Sequence, residues 1–346
     1  MSTTLSKAYG ENPLQLHHII PLDFHTVHAV PDSHIWPQSD DDFSSGVTPN
    51  EESSIPIVDL MDPNVVELLG HACETWGVFQ VTNHGIPLSL IEHVESEARR
   101  FFSLPAHQKE KVLRSPEGAT GYGVARISPF FSKFMWHEGF TIMGSSAHDH
   151  ASQLWPHDYT HFCDVMDEYQ KKVKALAYNL FLLILESLDI SKEEMDRATS
   201  VGESAGALQL NSYPPCPDPD CALGLAPHTD TLLLTVLHQS DTDGLQIFRE
   251  GSGWVTVSPV AGALVVNVGD LLHIFSNARF HNVYHRAAVN RSRHRISVAY
   301  FYAPPPDSLV TPFSKLEFPR YRSLTVKEYV RIKAMHLEKA LSLIRI

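Results

Sequence analysis

Between residues 207 and 303 the sequence is a succession of short β-rich runs, and this feature constrains the fold more than any other. The runs are 207–213, 231–238, 244–248, 254–260, 263–268, 271–275, 281–289 and 295–303. Gly, Asp, Asn and Pro residues separate them, and no helical periodicity intervenes. Such an order is typical of an antiparallel double-sheet barrel. We therefore expect an α+β fold with a mainly β core, a double-stranded β-helix (jelly roll or cupin) flanked by helices.

Helical patterns lie on both sides of this region. Residues 88–112 are predicted to be helical, and the clearest helix spans 164–189, where apolar residues form one continuous stripe. That stripe contains Val173, Leu176, Ala177, Leu180, Phe181, Ile184, Leu185 and Leu188. A last helix is predicted to begin near Thr325, which forms a capping box with Glu328.

The pattern divides the chain into four parts. Residues 1–54 form an N-terminal extension that ends in an acidic, serine-rich linker. Residues 55–200 form a helix-and-strand region, 201–305 the jelly-roll core, and 306–346 a helical tail.

Composition excludes several classes of protein. The formal charge is −13 without any polybasic stretch, so neither nucleic acid nor an anionic membrane is an expected partner. The four cysteines match neither a disulfide scaffold nor a zinc ribbon. No signal-peptide pattern or membrane-length apolar run is present. We expect a cytoplasmic protein, and a monomer.

A candidate metal site emerges from the histidines. The chain contains three His-X-Asp/Glu pairs: His93/Glu95, His228/Asp230 and His336/Glu338. Residues i and i+2 share a face on a strand but diverge on a helix. The first and third pairs lie in predicted helices, where they are interpreted as surface pairs. Only the pair at 228 and 230 lies in the β-rich half, where it can chelate a metal.

His285 is the predicted third ligand. In the run 281–289 it shares a face with small apolar residues, which alone is more typical of a buried core histidine. Two histidines and one carboxylate form the facial triad of non-haem iron(II) oxygenases, which leaves three positions open on the metal. The combination with His228 and Asp230 therefore favours the metal site.

An arginine supports this interpretation. Arg295, Ser297, Ala299 and Phe301 share one face of the last β-rich run. A buried guanidinium on such an apolar strand needs a partner, and the far carboxylate of a 2-oxo acid bound to iron matches its planar fork. Asn211 and Tyr213 share a face of the first run, although residues of this kind before two prolines are also typical of turns.

Several motifs together resemble the plant iron(II)/2-oxoglutarate-dependent dioxygenases, in the expected order from about residue 55 to 305. They are Gly77-Val78-Phe79-Gln80-Val81-Thr82-Asn83-His84-Gly85-Ile86-Pro87, Asn211-Ser212-Tyr213-Pro214-Pro215-Cys216, His228-Thr229-Asp230, Gly269-Asp270, His285-Arg286 and Arg295-Ile296-Ser297. The resemblance implies iron ligands His228, Asp230 and His285. It also implies 2-oxoglutarate contacts from Arg295, Ser297, Tyr213 and Asn211.

Other segments are similar to the gibberellin 3β-hydroxylases within that family. They include Gly121-Tyr122-Gly123-Val124-Ala125-Arg126-Ile127-Ser128, Met135-Trp136-His137-Glu138-Gly139-Phe140-Thr141 and Leu154-Trp155-Pro156-His157-Asp158-Tyr159. This likeness implies a small-molecule substrate, a gibberellin precursor hydroxylated at C-3β. The predicted substrate contacts are Tyr122, Arg126, Trp136 and Phe301. For Trp136 and Phe301, ordinary core packing is an equal alternative.

The implied chemistry uses iron(II), 2-oxoglutarate and dioxygen, with ascorbate as reductant. It releases succinate and carbon dioxide through a ferryl oxidant. One alternative keeps this chemistry on another substrate: a gibberellin attacked at C-2, a flavonoid or an alkaloid. A second alternative is a cupin-like metal-binding protein without activity. The His-Glu-X-X-His helix of zinc hydrolases is absent from the sequence.

Overall fold

The computed structural model of the protein describes residues 13–37, 54–199, 205–313 and 318–346. Nearly all of the predicted acidic linker therefore lies outside the described residues. The fourfold division of the chain stays a prediction.

Most of the strands belong to one eight-stranded sheet, ordered β1-β2-β10-β7-β12-β5-β4-β3. Its members are β1 (Ile57–Asp59), β2 (Val78–Thr82), β3 (Gly121–Gly123), β4 (Glu138–Ile142), β5 (Ala205–Tyr213), β7 (Leu234–Gln239), β10 (Leu264–Val268) and β12 (Arg295–Ala303). Strands β1 and β2 run parallel, and the other pairs are antiparallel.

A second sheet of four strands faces it, ordered β6-β11-β8-β9. These strands are β6 (Leu223–His228), β8 (Leu245–Arg249), β9 (Gly253–Thr256) and β11 (His285–Ala288), and a separate hairpin pairs β13 (Leu309–Val310) with β14 (Leu324–Thr325). An apolar cluster joins the two sheets, with Leu237 and Ala299 from one and Leu245 and Ile247 from the other. The expected double-stranded β-helix is confirmed.

Helices flank the two sheets. They are α1 (Val65–Thr75), α2 (Leu88–Phe102), α3 (Ala106–Lys109), α4 (Ser146–Leu154), α5 (Thr160–Glu186), α6 (Lys192–Thr199), α7 (Asp270–Phe275) and α8 (Val326–His336). Helix α5 packs against β7 and β12, and every residue of its predicted apolar stripe is buried. None of the described helices is long and apolar enough to cross a membrane.

Strand β12 shows how alternation separates the two environments. Ile296, Val298 and Tyr300 pack into the cluster shared with the helices, whereas Arg295 and Ser297 line the barrel interior. The predicted faces of this strand are confirmed.

One predicted element is wrong, and one strand of the small sheet was not predicted. Residues 271–275 were expected to form a strand but belong to helix α7, because a short apolar run that is buried on all sides has no periodicity to separate the two states. The strand β6 was not predicted, since Gly224 and Pro227 interrupt its β pattern. It forms at the edge of the small sheet, where proline is tolerated.

Boundaries also shifted. The runs 231–238, 254–260 and 281–289 are trimmed to β7, β9 and β11. The helical pattern at 88–112 ends at Phe102 and resumes as α3 after Pro105. The final helix begins as expected, with the capping box of Thr325 and Glu328 in place.

Candidate active site

The structure brings His228, Asp230 and His285 together at one end of the barrel. His228 ends β6, and the register of the small sheet places it directly opposite His285 on β11. The two histidine Nε2 atoms lie 3.7 and 3.8 Å from Asp230 Oδ1, and one ligand atom from each side chain lies within 4.8 Å of the others. One small ion could therefore contact all three side chains.

Backbone contacts orient both imidazoles for a metal. His228 Nδ1 lies 2.9 Å from the Ala226 carbonyl oxygen, and His285 Nδ1 lies 3.2 Å from that of Val283. A carbonyl oxygen only accepts, so each Nδ1 carries a proton and each Nε2 is the ring nitrogen available to a metal. Burial and the neighbouring His285 lower the pKa of His228 to about 3, so this ring is neutral at pH 7.

Asp230 completes a donor set suited to iron(II). Burial alone would raise the pKa of Asp230, but His285, His228 and the Asn267 amide lower it, so that the carboxylate is ionised. Two histidines and one carboxylate are the ligands of the facial triad. The residues present thus fit the metal that the sequence implies.

The Gly269-Asp270 turn holds the backbone of the triad. The Asp270 amide donates to the Asp230 carbonyl oxygen at 2.8 Å. A Cβ at Gly269 would come within 2.1 Å of the Leu232 carbonyl oxygen, so only glycine allows this close approach.

A buried charge network from helix α8 supports the same loop. Lys333 Nζ lies 2.8 Å from the Asp270 carboxylate and donates to the Thr229 hydroxyl at 2.6 Å. Asp270 also accepts hydrogen bonds from Tyr329 and Asn282. Nothing in the local sequence predicted this support, because Lys333 is more than a hundred residues from Thr229 and is brought there only by the packing of α8.

The triad opens into a cavity of about 420 Å³, whose wall also contains Arg295. Arg295 is 3% exposed and donates to the Gln239 amide oxygen at 3.1 Å, while its Nε has no hydrogen-bond partner among the described residues. Burial lowers the pKa of this guanidinium, and Tyr213, whose ring it approaches within 5.1 Å, opposes that effect. A buried cation with an unsatisfied donor fits an incoming carboxylate.

The other predicted co-substrate residues surround this guanidinium. Strands β5 and β12 pair so that Tyr213 lies opposite Arg295 and Asn211 opposite Ser297. All four residues line the cavity. The Asn211 amide donates to the Ser297 hydroxyl at 3.4 Å.

The four predicted substrate contacts divide into two pairs. Arg126 and Phe301 line the cavity. Tyr122 and Trp136 are buried and do not line it, and their role as substrate contacts stays a prediction. The Tyr122 hydroxyl donates to Glu138 at 2.7 Å, and the Trp136 indole donates to the Pro214 carbonyl oxygen at 3.0 Å. The sequence could not distinguish Tyr122 and Trp136 from Arg126, because all three belong to segments of the same resemblance.

Neither of the two other His-X-Glu pairs belongs to the cluster of metal-ligand atoms, although Glu338 accepts a hydrogen bond from the Thr229 backbone beside it. His93 and Glu95 are on α2, where Glu95 contacts Arg99 and His238. His336 is the last residue of α8, beyond which Glu338 lies on a 3₁₀ turn. Among the described residues, the only cluster that could hold a metal is the triad.

Comparisons with known proteins agree with this geometry. Residues 204–304 match the 2OG-Fe(II) oxygenase superfamily, and residues 55–159 match the N-terminal region of the non-haem dioxygenases in morphine synthesis. A structure of JOX2 in complex with 2OG, Fe and JA is similar with a TM-score of 0.76 at 30% identity, covering 88% of this chain and 89% of that one.

Curated relatives cover almost the whole chain. Gibberellin 3-beta-dioxygenase 1 of Pisum sativum is 51% identical, with 99% of this chain and 94% of the relative aligned. Gibberellin 3-beta-dioxygenase 1 of Arabidopsis thaliana is 47% identical, with 100% and 99% aligned.

The protein is thus an iron(II)- and 2-oxoglutarate-dependent oxygenase of the 2OG-Fe(II) superfamily. Within that superfamily it belongs to the family of the gibberellin 3-beta-dioxygenases.

Proposed function

We propose that this protein hydroxylates a gibberellin precursor at C-3β. The family of its relatives supports the substrate, and the single structural observation that carries the reaction is the opening of the triad and Arg295 into one cavity. The walls of that cavity are rich in apolar side chains, including Leu232, Ile127 and Phe301, as expected for a rigid and largely apolar acid.

In this proposal His228, Asp230 and His285 hold the metal. When bound, iron(II) supplies dioxygen activation coupled to the oxidative decarboxylation of 2-oxoglutarate to succinate and carbon dioxide. The carbonyl contacts of the two histidines keep their Nε2 atoms directed at one point, and the burial of the site keeps bulk water away from it.

Arg295 is proposed to bind the far carboxylate of 2-oxoglutarate, assisted by the Ser297 and Tyr213 hydroxyls and the Asn211 amide. The co-substrate would satisfy the Nε donor that lacks a partner among the described residues. Burial raises the pKa of Tyr213, which keeps its hydroxyl protonated as a donor.

Arg126 and Phe301 are proposed to contact the substrate. Both line the cavity that contains the triad. Arg126 lies in the loop that follows β3, and Phe301 lies on β12. Tyr122 and Trp136 are instead proposed to hold the wall in place through Glu138 and Pro214. A cytoplasmic, monomeric enzyme remains our prediction from the sequence.

The test is an assay of the purified protein with iron(II), ascorbate and 2-oxoglutarate, with and without a gibberellin that lacks the 3-hydroxyl. We expect succinate formation that depends on the gibberellin, with one 3β-hydroxylated product identified by mass spectrometry. A C-2 product, or turnover only with a flavonoid or an alkaloid, would replace the proposed substrate or position. Absence of turnover from iron-loaded protein would contradict the proposed reaction.

A further inference from the structure

The cavity is cationic although the chain is acidic. The formal charge of the protein is −13. Within the described part of the chain, Asp230 is the only acidic residue that lines the cavity, against five basic ones. These are Arg114, Arg126, Arg286, Arg295 and Lys333. A cavity with this balance favours anionic ligands.

Three of the five cations are already assigned. Lys333 is paired with Asp270. Arg286 lies over the Trp254 ring at 4.1 Å and donates to Gln246 at 2.8 Å. Arg295 belongs to the proposed co-substrate site. Arg114 and Arg126, which flank strand β3, have no role in that chemistry.

Arg114 is buried with an unsatisfied donor. Its side chain is 3% exposed and donates to the Val124 carbonyl oxygen at 2.6 Å, while its Nε has no hydrogen-bond partner among the described residues. No described carboxylate forms an ion pair with it. Leaving a buried guanidinium in this state is costly unless a ligand completes it.

Arg126 lies close to Arg114. Burial and the positive charge of Arg126 lower the pKa of Arg114 to about 9, so the Arg114 guanidinium remains charged at neutral pH. Arg126 donates to the Gly118 carbonyl oxygen, which fixes one edge of its guanidinium. The repulsion between two adjacent positive charges strengthens the attraction of both for an anion.

The position of the pair separates it from the co-substrate anchor. Strands β5 and β4 lie between β12, which carries Arg295, and β3. Three strand spacings, roughly 14 Å, separate the backbones of β12 and β3. One cavity therefore offers two anion sites, and a 2-oxo acid bound at Arg295 leaves the second available.

We propose that Arg114 and Arg126 form a carboxylate-binding subsite that anchors the acid group of the substrate while its other end meets the metal. This inference rests on the proposed function, because it takes the substrate to be a gibberellin acid. The anchor makes the enzyme select for an ionised carboxylate and fixes which end of the apolar skeleton reaches the triad.

The test compares a gibberellin acid with its methyl ester, which removes the charge and keeps the skeleton. For the unaltered protein we expect kcat/KM for the acid to exceed that for the ester about 100-fold, as charge-assisted hydrogen bonds imply. In Arg114→Met and in Arg126→Met the ratio of kcat/KM for the acid to kcat/KM for the ester should fall to about fivefold or less, because the lost ionic contact is made by the acid alone.

Arg279→Met is the matched control, since Arg279 is an exposed arginine paired with Glu74. It should keep the full preference for the acid. Calorimetric titration of the acid into protein that holds 2-oxoglutarate and iron(II) without oxygen should show the same loss of affinity in the two variants.

The possible failures are distinguishable. Equal use of acid and ester by the unaltered protein, or a full preference retained in both variants, would overturn the anchor and leave the hydroxylation intact. If Arg114→Met also loses activity on the ester, the ratio of kcat/KM for the acid to kcat/KM for the ester is measured in Arg126→Met and in the charge-retaining Arg114→Lys instead. A lowered ratio in Arg126→Met that Arg114→Lys does not share supports the anchor, and an unchanged ratio in Arg126→Met overturns it. Turnover of neither gibberellin would overturn the proposed function, and the anchor with it.

Discussion

Two buried cations of the cavity differ in what neutralises them. The ammonium of Lys333 lies 2.8 Å from the Asp270 carboxylate, whereas no described carboxylate forms an ion pair with Arg295. Because an uncompensated buried charge costs free energy, the first arrangement is complete without a ligand and the second is not. The difference separates residues that support the fold from residues that await a ligand.

The largest expected effect is on turnover and comes from a substitution in the triad, which lies in the same cavity as both cations. Asp230→Ala should lower turnover more than 1000-fold and abolish tight iron binding, because the ionised carboxylate is the anionic ligand of the set. His93→Ala, in another His-X-Glu pair on the exposed face of α2, is the matched control and should retain full activity. Iron content and initial rates measure both. Normal iron binding in Asp230→Ala would show that Asp230 is not a metal ligand.

Lys333→Met tests the contribution of the buried Lys333–Asp270 ion pair to stability. It leaves Asp270 buried with its carboxylate uncompensated, so the free energy of unfolding should fall by about 3–5 kcal/mol. Lys327→Met, on the same helix but in an exposed pair with Asp307, should change it by at most about 1 kcal/mol. Urea denaturation of the metal-free proteins measures both. Equal stability of the two variants would show that the buried pair does not support the fold.

His137 extends the comparison to a buried group that stays neutral. It donates to Asn211 at 3.0 Å, and burial lowers its pKa to about 4. As the pH falls from about 6.5 to 4, the unfolded chain binds a proton that the folded chain refuses, so stability decreases by on the order of 3 kcal/mol. In His137→Gln this part of the acid destabilisation should vanish, while the exposed His148→Gln should retain it. Identical pH profiles for the two variants would contradict the assignment.

Arg295→Met tests the unpaired side. Loss of the guanidinium should raise KM for 2-oxoglutarate about 10- to 100-fold. The free energy of unfolding of the metal-free protein should stay within about 1 kcal/mol of the unaltered value, because the substitution removes a buried charge that has no counter-charge. Arg293→Met, at an exposed arginine paired with Asp241, should change neither quantity. A large loss of stability in Arg295→Met would mean that this arginine supports the fold as Lys333 does.

The smallest effect concerns the helix that carries Lys333. Thr325→Ala removes one half of its capping box and should cost about 1 kcal/mol of stability. Since α8 supports the paired side only, KM for 2-oxoglutarate should not change. Thermal unfolding measures the loss of stability, with Thr311→Ala as control. A changed KM for 2-oxoglutarate would mean that α8 also affects the Arg295 site.

Much of the site was predictable because most of its residues lie on strands with fixed alternation. The shared face of Arg295 and Ser297 follows from a two-residue repeat that tertiary contacts do not alter. Asp230 instead lies in the loop after β6, where the Asp270 amide and the Asn267 side chain hold it. Helix α5 was predictable for the same reason, with a period of 3.6 residues. Helix α7 was not, since burial on all sides erases the period that separates a helix from a strand.

The sequence by itself therefore determined the class of fold, the three candidate metal ligands and the co-substrate arginine. Only the tertiary structure decided that Lys333 supports the Thr229 loop, that Arg114 lies in the cavity, and that Tyr122 and Trp136 do not. The physical reason is that alternation along a strand is local. The partner of a buried charge is chosen by packing between segments that are distant in the chain.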